Sequence, residues 1–224
     1  MIFEDGDWAK KTAGVIAGQI KQTLLTKQHC SVFLTGGLGA ARVYAFLRVE
    51  LETCIGSIHF FLGDERCVPE NHADSNYRMI LKTLFPEGIG KSQKLHKMYD
   101  ETHTPEVAAG IYESNLPLVP DLIILGLGDD GHIASLFPGQ SWIEENSRMV
   151  ISTVSPFNGQ KRVTITKKVI ESADKIIVLA SGKGKSRILA ELADNIDIAA
   201  IPGRMVINGL WLLDESANQE IIID

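Results

Sequence analysis

Apolar residues along this chain follow two rhythms. Short unbroken runs appear at Ser31 to Thr35 (SVFLT), Ser57 to Leu62 (SIHFFL), Leu122 to Leu125 (LIIL) and Lys175 to Ala180 (KIIVLA). Runs of that length form strands buried on both faces. Elsewhere apolar positions recur every three or four residues, the period of a helix with one buried stripe. Trp8, Thr12, Val15, Ile16, Ile20 and Leu24 make one stripe, with Asp5 or Asp7 as the expected cap. Ala40, Val43, Tyr44, Leu47 and Leu51 make another, and Ile188, Leu189 and Leu192 a third. Tyr77 to Phe85 and Pro105 to Asn115 read as shorter helices, the second started by its proline. Arg148 to Val154 alternates as a strand does, RVTIT at Arg162 follows a Pro156 to Gly159 loop, and Met205 to Leu213 and Glu220 to Ile223 read as closing strands. Asn71 to Asn76 and Lys91 to Thr104 are polar and irregular. Strands alternating with helices predict an α/β fold: one Rossmann-like domain over 1–224, with a mostly parallel sheet and helices on both faces.

Glycine and charge follow the strands. Thr35-Gly36-Gly37-Leu38-Gly39 and Ser181-Gly182-Lys183-Gly184-Lys185-Ser186 each run from strand through glycine loop to helix. That order suits an anion, because glycines admit it closely and a helix N-terminus offers N–H groups. The strand ending at Leu62 leads into Gly63-Asp64-Glu65-Arg66. The one ending at Leu125 leads into Gly126-Leu-Gly128-Asp129-Asp130-Gly131-His132. Open α/β sheets place their sites at such carboxyl ends.

Two familiar motifs are near misses. Gly126 to Gly131 fits G-x-G-x-x-G, but Asp129 and Asp130 would repel a pyrophosphate, and Pro138 comes too soon for a long helix. Gly184-Lys185-Ser186 ends like a P-loop, but Leu179 stands where its first glycine belongs. Ser141 lacks the second glycine of a nucleophile elbow. His59 reads as a packed residue and Cys67 as a small filler.

Composition narrows the class. A chain of 224 residues, 45% hydrophobic and 22% charged, has core enough to fold alone. A net charge of −6 argues against nucleic acid as a partner and leaves any anionic substrate to local cations. No apolar run nears membrane-spanning length, and MIFEDGDWAKK lacks a signal pattern. Cys30, Cys54 and Cys67 form no C-x-x-C pair. These features predict a cytoplasmic protein that binds no membrane.

Four stretches carry a family resemblance: GDERCVPENHADSNYRMI (Gly63 to Ile80), GLGDDGHIASLFP (Gly126 to Pro138), KRVTIT (Lys161 to Thr166) and SGKGKSRIL (Ser181 to Leu189). The first two are specific and the last two supportive. The chain resembles the 6-phosphogluconolactonases, whose superfamily also holds glucosamine-6-phosphate deaminases. The resemblance implies an α/β enzyme that hydrolyses 6-phospho-D-glucono-1,5-lactone in the oxidative pentose phosphate pathway, with a small phosphorylated sugar lactone as substrate and no metal or organic cofactor. It casts His132 as catalytic base and Asp64 and Asp130 as acids near the reacting end. It casts Gly36, Gly37, Arg66 and Lys185 as phosphate or substrate contacts, with Arg162 a further candidate. The family's glycine loop usually reads Ser-Gly-Gly-Ser-Thr-Pro. Thr35 keeps its first hydroxyl here, but Leu38 and Gly39 replace the next two hydroxyl residues. The deaminases resemble Gly-His-Ile-Ala-Phe-Asn-Glu-Pro in the central loop, and Phe137 stands where their glutamate would. Two alternatives remain beside the lactonase: a deaminase-like enzyme, and a non-catalytic sugar-phosphate binder marked by the changed loop. The oligomeric state, monomer or homodimer, stays open.

The chemistry expected of these residues is proton transfer. A neutral His132 would activate water against the lactone carbonyl and then protonate the leaving ring oxygen. Asp130 or Asp64 would orient it, and glycine-loop N–H groups would hold the oxyanion.

Overall fold

The computed structural model describes residues 1–194 and 196–219. The strands are β1 (Ile2–Phe3), β2 (Cys30–Leu34), β3 (Ile58–Leu62), β4 (Asp64–Arg66), β5 (Lys94–Leu95), β6 (Leu122–Gly126), β7 (Val150–Val154), β8 (Lys161–Ile165), β9 (Ile176–Ala180) and β10 (Leu210–Asp214). The helices are α1 (Trp8–Leu24), α2 (Leu38–Glu50), α3 (Asn76–Leu84), α4 (Pro105–Glu113), α5 (Lys167–Ser172) and α6 (Ser186–Asp194). The expected Glu220 to Ile223 strand lies outside the described residues.

One sheet has the order β1-β10-β9-β6-β2-β3-β5, with every neighbouring pair parallel. Its central strands are buried, β2 along its whole length and β6 up to Leu125, as their unbroken apolar runs require. Phe60 and Phe61 show how both faces are covered. Successive strand residues point to opposite faces. Phe60 meets Phe85, just past α3, edge-on at 5.6 Å, whereas Phe61 meets Tyr112 of α4 at 6.3 Å. The two helices therefore cover opposite faces of β3.

Two tyrosines fasten helices to strand ends. The Thr35 N–H donates to the Tyr44 hydroxyl at 2.9 Å, and that hydroxyl donates to the Thr35 carbonyl at 3.0 Å. Tyr112 does the same at Leu62, at 2.7 and 3.1 Å. The backbone groups where β2 and β3 run out are thus satisfied without water.

A second sheet, β4-β8-β7, is antiparallel. It stands after β3 and carries Asp64 and Arg66 on one strand and Arg162 on the next.

Two local expectations need correction. Asp7 occupies the position before α1, but its backbone is already helical (φ −100°, ψ −12°) and its side chain makes no capping bond. A side-chain cap needs an extended residue there. Asp5 instead accepts from the Ser216 N–H at 2.9 Å and the Ser216 hydroxyl at 2.5 Å. Met205 to Leu213 is not one strand. Pro202–Val206 forms a 3-10 turn, the Gly209 N–H closes onto Val206 at 2.9 Å, and β10 starts only at Leu210.

Candidate active site

The loops that leave β2, β6 and β9 lie side by side, because β6 sits between the other two. Beyond β6 the chain doubles back rather than entering a helix: Leu127 bridges Ile133, and Ile133 bridges Leu136. A dinucleotide would find no helix N-terminus there. The turn is tight at Gly128, whose N–H donates to the His132 carbonyl at 2.8 Å. A Cβ on Gly128 would stand 2.1 Å from His132 Nδ1, so glycine is what lets the imidazole lie against the turn. Ala134, two residues on, takes a left-handed φ of +49° on the cavity wall. Such strain in a non-glycine residue collects at sites whose surroundings hold it in place.

The cavity at these strand ends holds about 290 Å³. Thr35, Gly36, Gly37, Asp64, Arg66, His132, Arg162 and Lys185 all line it. Asp130 stands behind His132. Its Oδ1 lies 2.5 Å from His132 Nδ1 and accepts from the His132 N–H at 3.1 Å. Burial opposes charge on Asp130, but the hydrogen bonds from His132, and the attraction of its ring when protonated, outweigh it and hold the carboxyl below its ordinary value. An ionised carboxylate only accepts, so Nδ1 carries the proton and Nε2 of the neutral ring keeps its lone pair. The ring also packs on Phe137 at 4.7 Å, and Phe137 is 1% exposed.

Asp64 does not reach His132. Its Oδ2 accepts from the Ser135 hydroxyl at 2.7 Å and lies 3.7 Å from Arg162. Asn76 donates to the Asp64 carbonyl at 2.9 Å. Asp64 is therefore the post to which the far wall is tied.

The two arginines are crowded together, and each keeps one donor without a partner among the described residues. Arg66 and Arg162 stand directly opposite in the β4–β8 register, where like charges repel. Burial lowers the Arg162 guanidinium's ordinary value, Asp64 raises it, and Arg66 lowers it further. Arg66 donates to the Asp74 carbonyl at 2.6 Å. Yet the Nε–H groups of both arginines are buried with no hydrogen-bond partner among the described residues. An orphaned buried donor is costly, and a bound anion would relieve it. Lys185 pairs with Asp129 across the cavity mouth.

The glycine loop contributes backbone. Gly37 sits at φ +98° immediately before α2. Thr35 spends its hydroxyl oxygen on the Gly126 N–H at 3.2 Å, which leaves its proton to give. Sequence reasoning passed over Asn76 and Ser135, both buried and both bonded to Asp64. Both sit inside the stretches that carry the family resemblance, and that was their only signal.

The family model for glucosamine-6-phosphate isomerases/6-phosphogluconolactonase matches residues 4–212. The chain belongs to this family. Among its relatives, the 6-phosphogluconolactonase of Synechocystis sp. is 35% identical over 92% of this chain and 90% of its own. That of Mycobacterium tuberculosis is 31% identical over 96% and 95%. The solved 6-phosphogluconolactonase of Thermotoga maritima superposes with a TM-score of 0.84 at 30% identity, covering 96% of this chain and 98% of that one. The family's mostly parallel sheet is thus the fold found here. No helix among the described residues is long and apolar enough to cross a membrane.

Proposed function

We propose that this chain hydrolyses 6-phospho-D-glucono-1,5-lactone to 6-phospho-D-gluconate, a step of the oxidative pentose phosphate pathway. One observation carries the reading: a carboxylate-oriented imidazole shares a single cavity with Lys185, Arg66 and Arg162. A phosphorylated lactone needs both, a base at one end and cations at the other. The named lactonase relatives over nearly the full chain support the same activity.

The mechanism uses the lone pair on His132 Nε2. The ring takes a proton from a water as that water's oxygen bonds to the lactone carbonyl carbon. Ionised Asp130 stabilises the imidazolium that results. Collapse of the tetrahedral intermediate breaks the bond from carbon to ring oxygen. The imidazolium returns its proton to that oxygen, and the base is regenerated. Gly36 and Gly37 offer backbone N–H groups, and Lys185, Arg66 and Arg162 offer charge-assisted donors to the phosphate. The phosphate is remote from the reacting carbon, so its binding energy serves to fix the attack geometry. Asp64, tied to Arg162 and Ser135, acts as a positioning residue.

The deaminase alternative is less well supported. Phe137, packed on His132, offers no second acid beside the imidazole. The decisive assay follows freshly generated 6-phosphogluconolactone, with ammonia release from glucosamine 6-phosphate in parallel. Lactone loss well above the spontaneous rate, without ammonia, is expected. Ammonia release favours the deaminase, and binding without turnover of either favours a sugar-phosphate binder. His132→Ala should lower kcat by about 10²–10⁴-fold with KM near that of the parent. Near-normal turnover would remove His132 from the mechanism.

A further inference from the structure

Beside the main cavity lies a smaller one of about 180 Å³ that shares Thr35, Gly36, Gly37 and Lys185 with it. Two residues on its wall bear on each other. A Cβ built on Gly39 would stand 3.1 Å from the Ser181 hydroxyl oxygen and 3.4 Å from the Trp8 ring. Residue 39 is thus bare where Ser181, from the loop after β9, already puts a hydroxyl. Leu38 adds nothing polar, and its side chain is 88% exposed.

Ser181 is firmly placed. The next residue, Gly182, donates its N–H to both oxygens of the buried Asp214 carboxylate at 2.9 Å. Trp8 is fixed from behind by its indole N–H on the Leu212 carbonyl at 3.0 Å. The Ser181 hydroxyl itself makes no hydrogen bond among the described residues. An anchored backbone therefore presents an unused donor to a cavity that also holds Lys185.

We propose that Ser181 is a substrate-binding residue whose hydroxyl donates to the phosphate, supplying from the β9 loop the side-chain donor that Leu38 and Gly39 do not. The inference rests on the lactonase reading for the identity of the substrate, but its chemistry asks only for a phosphate monoester. It also bears on Gly39: a Cβ there would crowd the Ser181 hydroxyl at 3.1 Å.

The test is a reciprocal rescue. Ser181→Ala should raise KM for the phosphorylated lactone by about ten- to a hundredfold, the range for a hydrogen bond to a charged group, with a smaller change in kcat. Unphosphorylated glucono-1,5-lactone should show no such rise. Adding Gly39→Ser to Ser181→Ala returns a hydroxyl to the vacated place and should recover most of the lost affinity. An unchanged KM in Ser181→Ala overturns the proposal, and so does a double variant no better than the single one. Thermal protection by inorganic phosphate gives a readout free of turnover: the parent should be protected and Ser181→Ala much less so. Phosphate protection that depends on Ser181 in a chain with no lactonase activity would sink the functional reading and leave this one standing. Equal protection of parent and variant would sink this one alone.

Discussion

Asp129 and Asp130 are neighbours with opposite constraints. Asp130 is locked by two bonds to His132, whereas the Asp129 side chain is 79% exposed and pairs with Lys185. Asp129 thus occupies the lysine that a phosphate would use. Displacing so exposed a carboxylate costs little, because ion pairs open to solvent contribute about 0–1 kcal/mol. Asp129→Asn should free Lys185, remove a negative charge near the phosphate, and lower KM for the phosphorylated lactone by roughly two- to fivefold. The gain should shrink as salt screens the mouth of the cavity. Kinetics at low and high ionic strength measure this, and a raised KM would mean that Asp129 itself helps to bind substrate. The contrast marks what the sequence could reveal at this scale. Asp130 and His132 are two positions apart, so their place in one loop was readable. Lys185 and Asp129 are separated by 56 positions, and no local spacing reports their meeting. Which acid orients the imidazole was equally hidden, because Asp64 and Asp130 are both acids at strand ends and only geometry separates them.

At the level of elements, period and run length were enough for the long pieces. The buried parallel strands and α1, α2 and α6 were legible because each has one environment along its length. β4 was not, since three polar residues, Asp64–Arg66, show no rhythm, and with it the antiparallel sheet that brings Arg66 against Arg162 went unseen. Tyr44 shows a second limit. Its spacing marks it as one more buried position in α2, and it is fully buried, yet its hydroxyl serves both backbone groups of Thr35. Tyr44→Phe keeps the ring and strands that N–H and C=O away from water. Each unsatisfied group costs about 1–3 kcal/mol, so a loss of roughly 2–6 kcal/mol is expected in urea unfolding. The glycine loop starts at the next residue, so KM should rise with it. A stability loss with unchanged KM would show that the loop is fixed by other means.

Across the whole molecule the sheet has a chemical end and a structural end. The fold class was readable from alternation, but strand order was not, because order is set by crossovers between segments far apart in sequence. That order puts Asp121, at the amino end of β6, beside Ser31 of β2. Asp121 accepts from the Ser31 N–H at 2.7 Å and the Ser31 hydroxyl at 2.8 Å, and pairs with Lys27. Burial pushes the Asp121 carboxyl up, but Lys27 and the two Ser31 donors outweigh it and hold it below its ordinary value. A carboxyl whose folded value lies below its unfolded one adds stability that is complete above the unfolded value, about 3.9, and is lost as pH falls through the folded value. Asp121→Asn should therefore cost roughly 1–3 kcal/mol at pH 7, the worth of hydrogen bonds to a charged group. At a pH below the folded value the parent carboxyl is itself neutral, so the two proteins should converge there. Urea unfolding at both pH values tests this. A difference that persists undiminished in acid would assign the role of Asp121 to shape alone and leave the charge at the sheet's amino end without a part in holding it together.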